Sequence, residues 1–213
     1  MQVTLIRHGE TDDNRNEIIQ GHKDTPLNEL GIQQARLTGQ FLNQSQVRFN
    51  QIWSSDLQRA HKTAQLISEQ FTDPPSIQLD KRLRERFLGD LEGRPREARE
   101  KRTHSQSIEP TLSVLLRLLE FWTNQIVPSP NQHHILIVSH GGALRSLVES
   151  GLIENLEFQP PHDLPKNYSF ANCSITTVQI NEQSKLLTSI ANVDHLVGKI
   201  DASNLNADEI NVA

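Results

Sequence analysis

Two histidines, His8 and His140, each close an apolar run and are each followed by glycine, in Leu5-Ile6-Arg7-His8-Gly9 and Val138-Ser139-His140-Gly141-Gly142. An imidazole in such a place can serve as nucleophile, base or hydrogen-bond donor. Glycine beside it lets the backbone approach a ligand closely or take positive φ. Arg7 adjoins the first histidine, and Arg59 follows a third short run that ends in Ser54-Ser55. Guanidinium forks suit the oxygens of an anionic group such as phosphate. If the three runs are parallel strands, two imidazoles and two guanidiniums converge beyond their carboxyl ends, where ligands bind in open α/β sheets. A helix beginning after Gly141 would add amide donors and the positive end of its dipole. This setting favours a functional role for His8 and His140. His22, His61, His104, His133, His134, His162 and His195 lack it and read as surface or structural residues.

Rival chemistries meet specific obstacles. A cysteine phosphatase needs an arginine six residues after its nucleophile, but the residue at that distance from Cys173 is Gln179. A zinc site of His8, His140 and Glu85 is conceivable by ligand count, yet Arg7 and Arg59 would repel a dication. No Gly-rich Walker loop and no G-x-S-x-G elbow occurs. Neither a metal nor any other cofactor is therefore expected.

The elements that must position these residues follow from periodicity. Residues 3–6 read as a buried strand, and Asn28 caps a helix carrying Ile32, Ala35, Gly39 and Leu42. A second strand at 51–54 leads into Ser55-Asp56, an N-cap signal for a helix with Ala60, Ala64 and Ile67 on one face. A short strand is expected at 77–79, and Pro110 opens a helix with Leu112, Leu115, Leu116, Leu119, Trp122 and Ile126. Residues 134–138 form the strongest strand, passing into a helix from Ala143 to about Glu149. Residues 174–180 and 186–191 suggest a terminal hairpin. Continuous apolar runs of this kind are buried on both faces, so the expected fold is a single α/β domain with a mainly parallel central sheet flanked by helices on both faces.

Composition sets the outer bounds. The chain has 213 residues and a formal net charge of −5, which argues against a generic nucleic-acid binder. It leaves room for a small anionic substrate, since a few converging cations make a positive pocket even in an acidic protein. No apolar run approaches a membrane span, and the N-terminal residues lack a signal-peptide layout, so the expected location is cytoplasmic, with the nucleus left open. The single cysteine, Cys173, agrees with a reducing compartment and reads as a buried small hydrophobe. Three Asn-x-Ser triplets, at Asn43, Asn167 and Asn172, then read as chance. Arg94, Arg96, Arg99, Lys101 and Arg102 form a basic stretch, read as an exposed helix face or, more sharply, as a lid for a second anionic group. The last fifteen or so residues carry no strong signal.

Leu5-Ile6-Arg7-His8-Gly9-Glu10-Thr11, with Asn14 six residues beyond His8, resembles the signature of the histidine phosphatase (phosphoglycerate mutase-like) superfamily. The likeness continues in order through Gln20-Gly21, Pro26-Leu27-Asn28-Glu29-Leu30-Gly31, Ser54-Ser55-Asp56-Leu57-Gln58-Arg59-Ala60, Leu83-Arg84-Glu85-Arg86 and Ser139-His140-Gly141-Gly142. It implies a phosphatase domain over residues 1–196 and a tail over 197–213. It further implies that His8 becomes phosphorylated, that Arg7, Arg59 and His140 hold the phosphoryl group, and that Glu85 donates the proton. Asn14, backbone groups near Gln20 and Gly21, and the Gly141 amide would complete the pocket.

Physical reasoning agrees with these roles. The attacking nitrogen of His8 must be unprotonated, so its other ring N–H should donate to a fixed acceptor, expected to be a backbone carbonyl. Taken alone, residues 82–86 could also be a solvated charged stretch, and the role of Glu85 leans on the resemblance. The branch most resembled is that of the phosphatases acting on small sugar phosphates, including the fructose-2,6-bisphosphatase type. A phosphoglycerate mutase is the alternative, although Phe87-Leu88-Gly89 departs from the mutases' His-Tyr-Gly. A catalytically inactive binding protein is the remaining one, opposed by the complete set His8, Arg7, Arg59, Glu85 and His140. The expected partner is a small phosphorylated substrate, with no nucleic acid and no membrane.

Overall fold

The apolar runs assemble into one sheet. In a computed structural model, which describes residues 1–98, 107–162 and 168–198, β1 (Gln2–Arg7), β2 (Gln51–Ser54), β3 (Ile77–Leu79) and β4 (His134–Ser139) are parallel. Strands β5 (Ile175–Ile180) and β6 (Lys185–Asn192) add antiparallel, giving the order β3-β2-β4-β1-β5-β6. The hairpin between them turns on Asn181, whose Oδ1 accepts the backbone N–H groups of Gln183 and Ser184.

Side chains of a strand alternate between faces, and here both faces are covered. Val3, Leu5, Trp53, Ile135 and Ile137 pack with Leu118, Phe121, Trp122, Leu144 and Leu147. Ile6, Ile52, Leu136 and Val138 enter the opposite layer with Leu42, Ala60, Ala64 and Ile67. Every one of the four central β4 residues is fully buried, so truncating Ile137 to alanine should cost about 2–5 kcal/mol. Helix α2 (Glu29–Gln44), capped by Asn28, and α3 (Gln58–Ser68) make the second layer. They pack closely because Gly39 has no Cβ; one added there would lie 2.8 Å from the Ile67 carbonyl oxygen.

Helix α1 (Asp12–Arg15) is a single turn that periodicity does not announce. Helix α4 (Thr111–Phe121) begins just after Pro110 and runs on as a π-helical turn through Ile126. The helix after β4 starts at Gly141, two residues before the expected Ala143, because extended His140 is its N-cap and both glycines enter the first turn. This helix, α5 (Gly141–Arg145), continues as a wider π-helical stretch to Asn155, well beyond Glu149.

The cap expected at Ser55-Asp56 is also corrected. Helix α3 follows Leu57 with no side-chain cap of its own. Asp24, from a loop distant in sequence, accepts the Gln58 N–H at 2.7 Å instead. The basic stretch is described only through residue 98, where Arg96–Ala98 forms one 3-10 turn, and Arg99, Lys101 and Arg102 lie outside the described residues, as do Asn167 and 199–213. No helix among the described residues is long and apolar enough to cross a membrane.

Candidate active site

The carboxyl ends of β1, β4 and β2 lie side by side. Arg7 stands opposite Ser139 and Ser54 opposite Val138. The ladder runs one residue further through His8 N–H to the Ser139 carbonyl (2.9 Å) and Ser55 N–H to the Val138 carbonyl (3.0 Å). His8, Ser55 and His140 therefore leave the sheet at one edge, and all three are fully buried.

His8 Nδ1 lies 2.7 Å from the Gly9 carbonyl oxygen. A carbonyl can only accept, so Nδ1 carries the hydrogen and Nε2 keeps its lone pair. Arg59 Nε–H points at that lone pair from 3.3 Å. Burial first, and then the charges of Arg59 and Arg7, hold the His8 pKa well below the usual imidazole value, against a smaller opposing effect of the Gly9 bond. The His140 ring sits 5.2 Å from that of His8, with Nε2 2.9 Å from Ser55 Oγ. Its Nδ1 is buried without a hydrogen-bond partner among the described residues. Burial, followed by the Arg59 charge, lowers the His140 pKa in the same way.

Both arginines are fully buried and are held by backbone oxygens. Arg7 Nη1 donates to the Phe170 carbonyl at 2.6 Å. Arg59, in the first turn of α3, donates from Nη1 to Lys23 O and from Nη2 to Gly21 O, each at 2.8 Å. Gly21 occupies the left-handed region (φ +53°), and a Cβ there would fall 2.3 Å from Glu92 Oε1. Gln20 is fully buried in the same loop. Asn14 Oδ1 accepts from the backbone and hydroxyl of Thr11, leaving Nδ2 as a buried donor with no acceptor among the described residues.

Glu85 is also fully buried. Its Oε2 accepts the Gly142 N–H at 2.9 Å and its Oε1 the Arg86 N–H at 2.8 Å. The carboxylate is thereby fixed at the N-terminus of α5, beside His140. Gly141, the first residue of that helix, is buried there too.

All nine residues singled out in the sequence thus fall at this end of the sheet or in the loops that line it. Several neighbours were not foreseen. Thr63 Oγ1 accepts the Gly9 N–H at 2.9 Å, and Asn172 Nδ2 donates to the His8 carbonyl at 2.8 Å. Cys173, in the left-handed region, donates its N–H to the Arg7 carbonyl at 3.0 Å. Gly142 could have been suspected from the Gly-Gly pair; Asn172 by itself carries no chemical signal. Among the described residues, no group of three or more His, Cys, Asp or Glu side chains could hold a metal ion.

Buried guanidiniums around a neutral imidazole, at the carboxyl edge of a mostly parallel sheet, define a class of α/β enzymes that handle phosphoryl groups. The profile of the histidine phosphatase superfamily (branch 1) matches residues 3–193, and the chain belongs to that superfamily, as a phosphoric monoester hydrolase. It is 31% identical to a broad-specificity phosphatase of Saccharomyces cerevisiae over 210 residues, covering 92% of this chain and 87% of the relative. Over 96 residues it is 48% identical to fructose-2,6-bisphosphatase TIGAR of Xenopus laevis, covering 44% of this chain and 34% of that one. A crystal structure of phosphoserine phosphatase from Entamoeba histolytica, in complex with 3-phosphoglyceric acid, superposes with a TM-score of 0.73 at 27% identity, covering 92% of this chain and 99% of that one.

Proposed function

We propose that the protein hydrolyses phosphomonoesters of small sugars without a metal ion, through a phosphohistidine on His8. The observation that carries this reading is the His8 imidazole: its proton is tied at Nδ1 to Gly9, and its Nε2 is unprotonated and faces Arg59. In the first step Nε2 attacks phosphorus, the phosphorus–oxygen bond of the ester breaks, and Glu85, which enters the cycle as the carboxylic acid, delivers its proton to the leaving oxygen and is left as the carboxylate. In the second, water attacks the phosphohistidine, Glu85 takes the water's proton, and phosphate leaves with His8 neutral again.

Charge on the transferring group is met by side chains instead of a metal. Arg7 and Arg59 neutralise the equatorial oxygens, the Arg59 Nε–H passing from His8 Nε2 to the phosphoryl group. With Ser55 donating to His140 Nε2, the His140 proton stands on Nδ1 and is offered to the same oxygens. Asn14 Nδ2 and backbone groups at Gln20, Gly21 and Gly141 complete the cradle. A sugar phosphate is favoured by the motif pattern around Glu85 and by the name of one relative, a fructose-2,6-bisphosphatase.

The test is turnover after exhaustive chelation. Sugar phosphates should release phosphate at an undiminished rate, and 3-phosphoglycerate with a catalytic amount of 2,3-bisphosphoglycerate should yield phosphate and little 2-phosphoglycerate. Recovery of a lost rate by one added metal would contradict the reading, and rapid interconversion without phosphate release would make the protein a mutase.

A further inference from the structure

Arg117 lies on α4, outside the cluster that meets the phosphoryl group, yet its guanidinium is fully committed to the segment carrying Glu85. Nη1 donates to the carbonyls of Arg82 (2.6 Å) and Arg84 (2.8 Å), and Nη2 donates to that of Glu85 (2.9 Å). Nε and Nη2 also meet Glu109 Oε1 (2.8 Å) and Oε2 (3.1 Å). These contacts use the five N–H donors a guanidinium possesses. Glu109 extends the grip by two residues. Its Oε2 accepts the Phe87 N–H (3.1 Å), its carbonyl accepts Arg86 Nε (2.6 Å), and its N–H donates to the Phe87 carbonyl (2.9 Å).

The segment so held runs from residue 82 to residue 87 and, past the short 3-10 turn Lys81–Leu83, belongs to no strand or helix. The backbone there cannot rely on a sheet ladder to fix it. The Glu85 carboxylate in turn touches backbone N–H groups, one of them on Arg86 itself, so its position is set by where this backbone lies. His22 Nε2 lies 2.7 Å from the same Glu85 carbonyl and supports it from the loop that Arg59 holds.

We propose that Arg117, with Glu109 as its counter-ion, is a positioning residue for proton donation by Glu85. The inference rests on the reading of Glu85 as the donor. A side chain that merely stabilised the fold would, when removed, slow the reaction of every substrate alike. One that aims the donor should matter only where the leaving oxygen needs its proton. Lysine is no substitute, because a single ammonium cannot span three carbonyls and a carboxylate fork.

The experiment is single-turnover phosphorylation by a sugar phosphate and by p-nitrophenyl phosphate, whose nitrophenolate leaves with little help. Wild type, Arg117→Ala, Arg117→Lys, Glu109→Gln and Glu85→Gln are compared. We expect the Arg117 and Glu109 variants to lose about 10- to 100-fold on the sugar phosphate, the scale of a small misplacement of a catalytic group, and only a few-fold on the nitrophenyl ester. Added guanidinium should restore part of the Arg117→Ala loss on the sugar phosphate alone. Glu109→Gln supplies the same comparison should the Arg117 variants not fold. Equal losses on both substrates, or no loss, would overturn the inference alone if Glu85→Gln itself separates the two substrates. If Glu85→Gln fails to separate them, its role as donor falls, and the inference falls with it.

Discussion

Acidification from pH 7.5 to 5.5 should destabilise this protein more than its carboxylates can explain. His8 and His140 are fully buried, and burial is the first cause holding each pKa well below 6.5. His22 and His134 are displaced in the same direction by their partial burial, His134 to about 4. A histidine whose folded pKa is depressed contributes nothing to the pH dependence above the unfolded value, where both states are neutral. Below that value the unfolded chain takes up protons that the folded chain refuses, so stability falls until the folded pKa is reached. Each such proton is worth about 1–2 kcal/mol per pH unit, so the two fully buried imidazoles alone should remove on the order of 3 kcal/mol by pH 5.5. Asp56 and Glu109 also have lowered pKa values, but they titrate from 3.8 and 4.5 downwards, outside this window. Urea unfolding at half-unit pH steps measures the effect. The double variant His8→Asn/His140→Asn should flatten the slope by up to two protons. A wild-type stability that stays level from pH 7.5 to 5.5, or a slope unchanged in the double variant, would refute the claim that these imidazoles are held neutral.

Two further substitutions separate placement from stability. In Gly142→Ala the new Cβ would stand 2.7 Å from Glu85 Oε1. Hydrolysis of sugar phosphates should fall about 10- to 100-fold, while the roughly 1 kcal/mol helix preference of alanine over glycine keeps the urea midpoint near that of wild type; full activity would show that Glu85 is not held by α5. Asn172→Ala removes the buried donor to the His8 carbonyl and should cost about 1–3 kcal/mol in urea unfolding together with a loss of phosphorylation rate; an unchanged unfolding curve would remove Asn172 from the support of the nucleophile loop.

Much of this fold is legible because its central strand is apolar without interruption. The run from His134 to Ser139 can only be buried on both faces, and once it is central, His8 and His140 must emerge at one edge. Arg59 is legible for a related reason, since it lies in the first turn of the helix that follows the strand ending in Ser54-Ser55. The supports are not legible in the same way. Asp24 caps α3 from across a loop, and nothing in the local pattern distinguishes it from Asp56, which pairs with Arg84 instead. Asn172 and Arg117 donate to carbonyl oxygens, which every residue has, and the Glu109 carboxylate that also meets Arg117 stands eight residues away, at no spacing that marks the pair in the sequence. The π-helical continuations of α4 and α5 bury apolar residues as an α-helix would, Ile126 in the first and Leu147, Val148 and Leu152 in the second, so residue type alone does not mark the wider turn.

The central claim is the covalent one, that His8 Nε2 carries the phosphoryl group between substrate and water. Rapid mixing with a sugar phosphate, followed by an alkaline quench and mapping of the phosphorylated peptide, tests it directly. A transient, acid-labile and base-stable phosphoramidate is expected on His8, forming and decaying fast enough to support turnover and absent from His8→Ala. A phosphoryl group found on another residue, or undiminished labelling and turnover in His8→Ala, would contradict it.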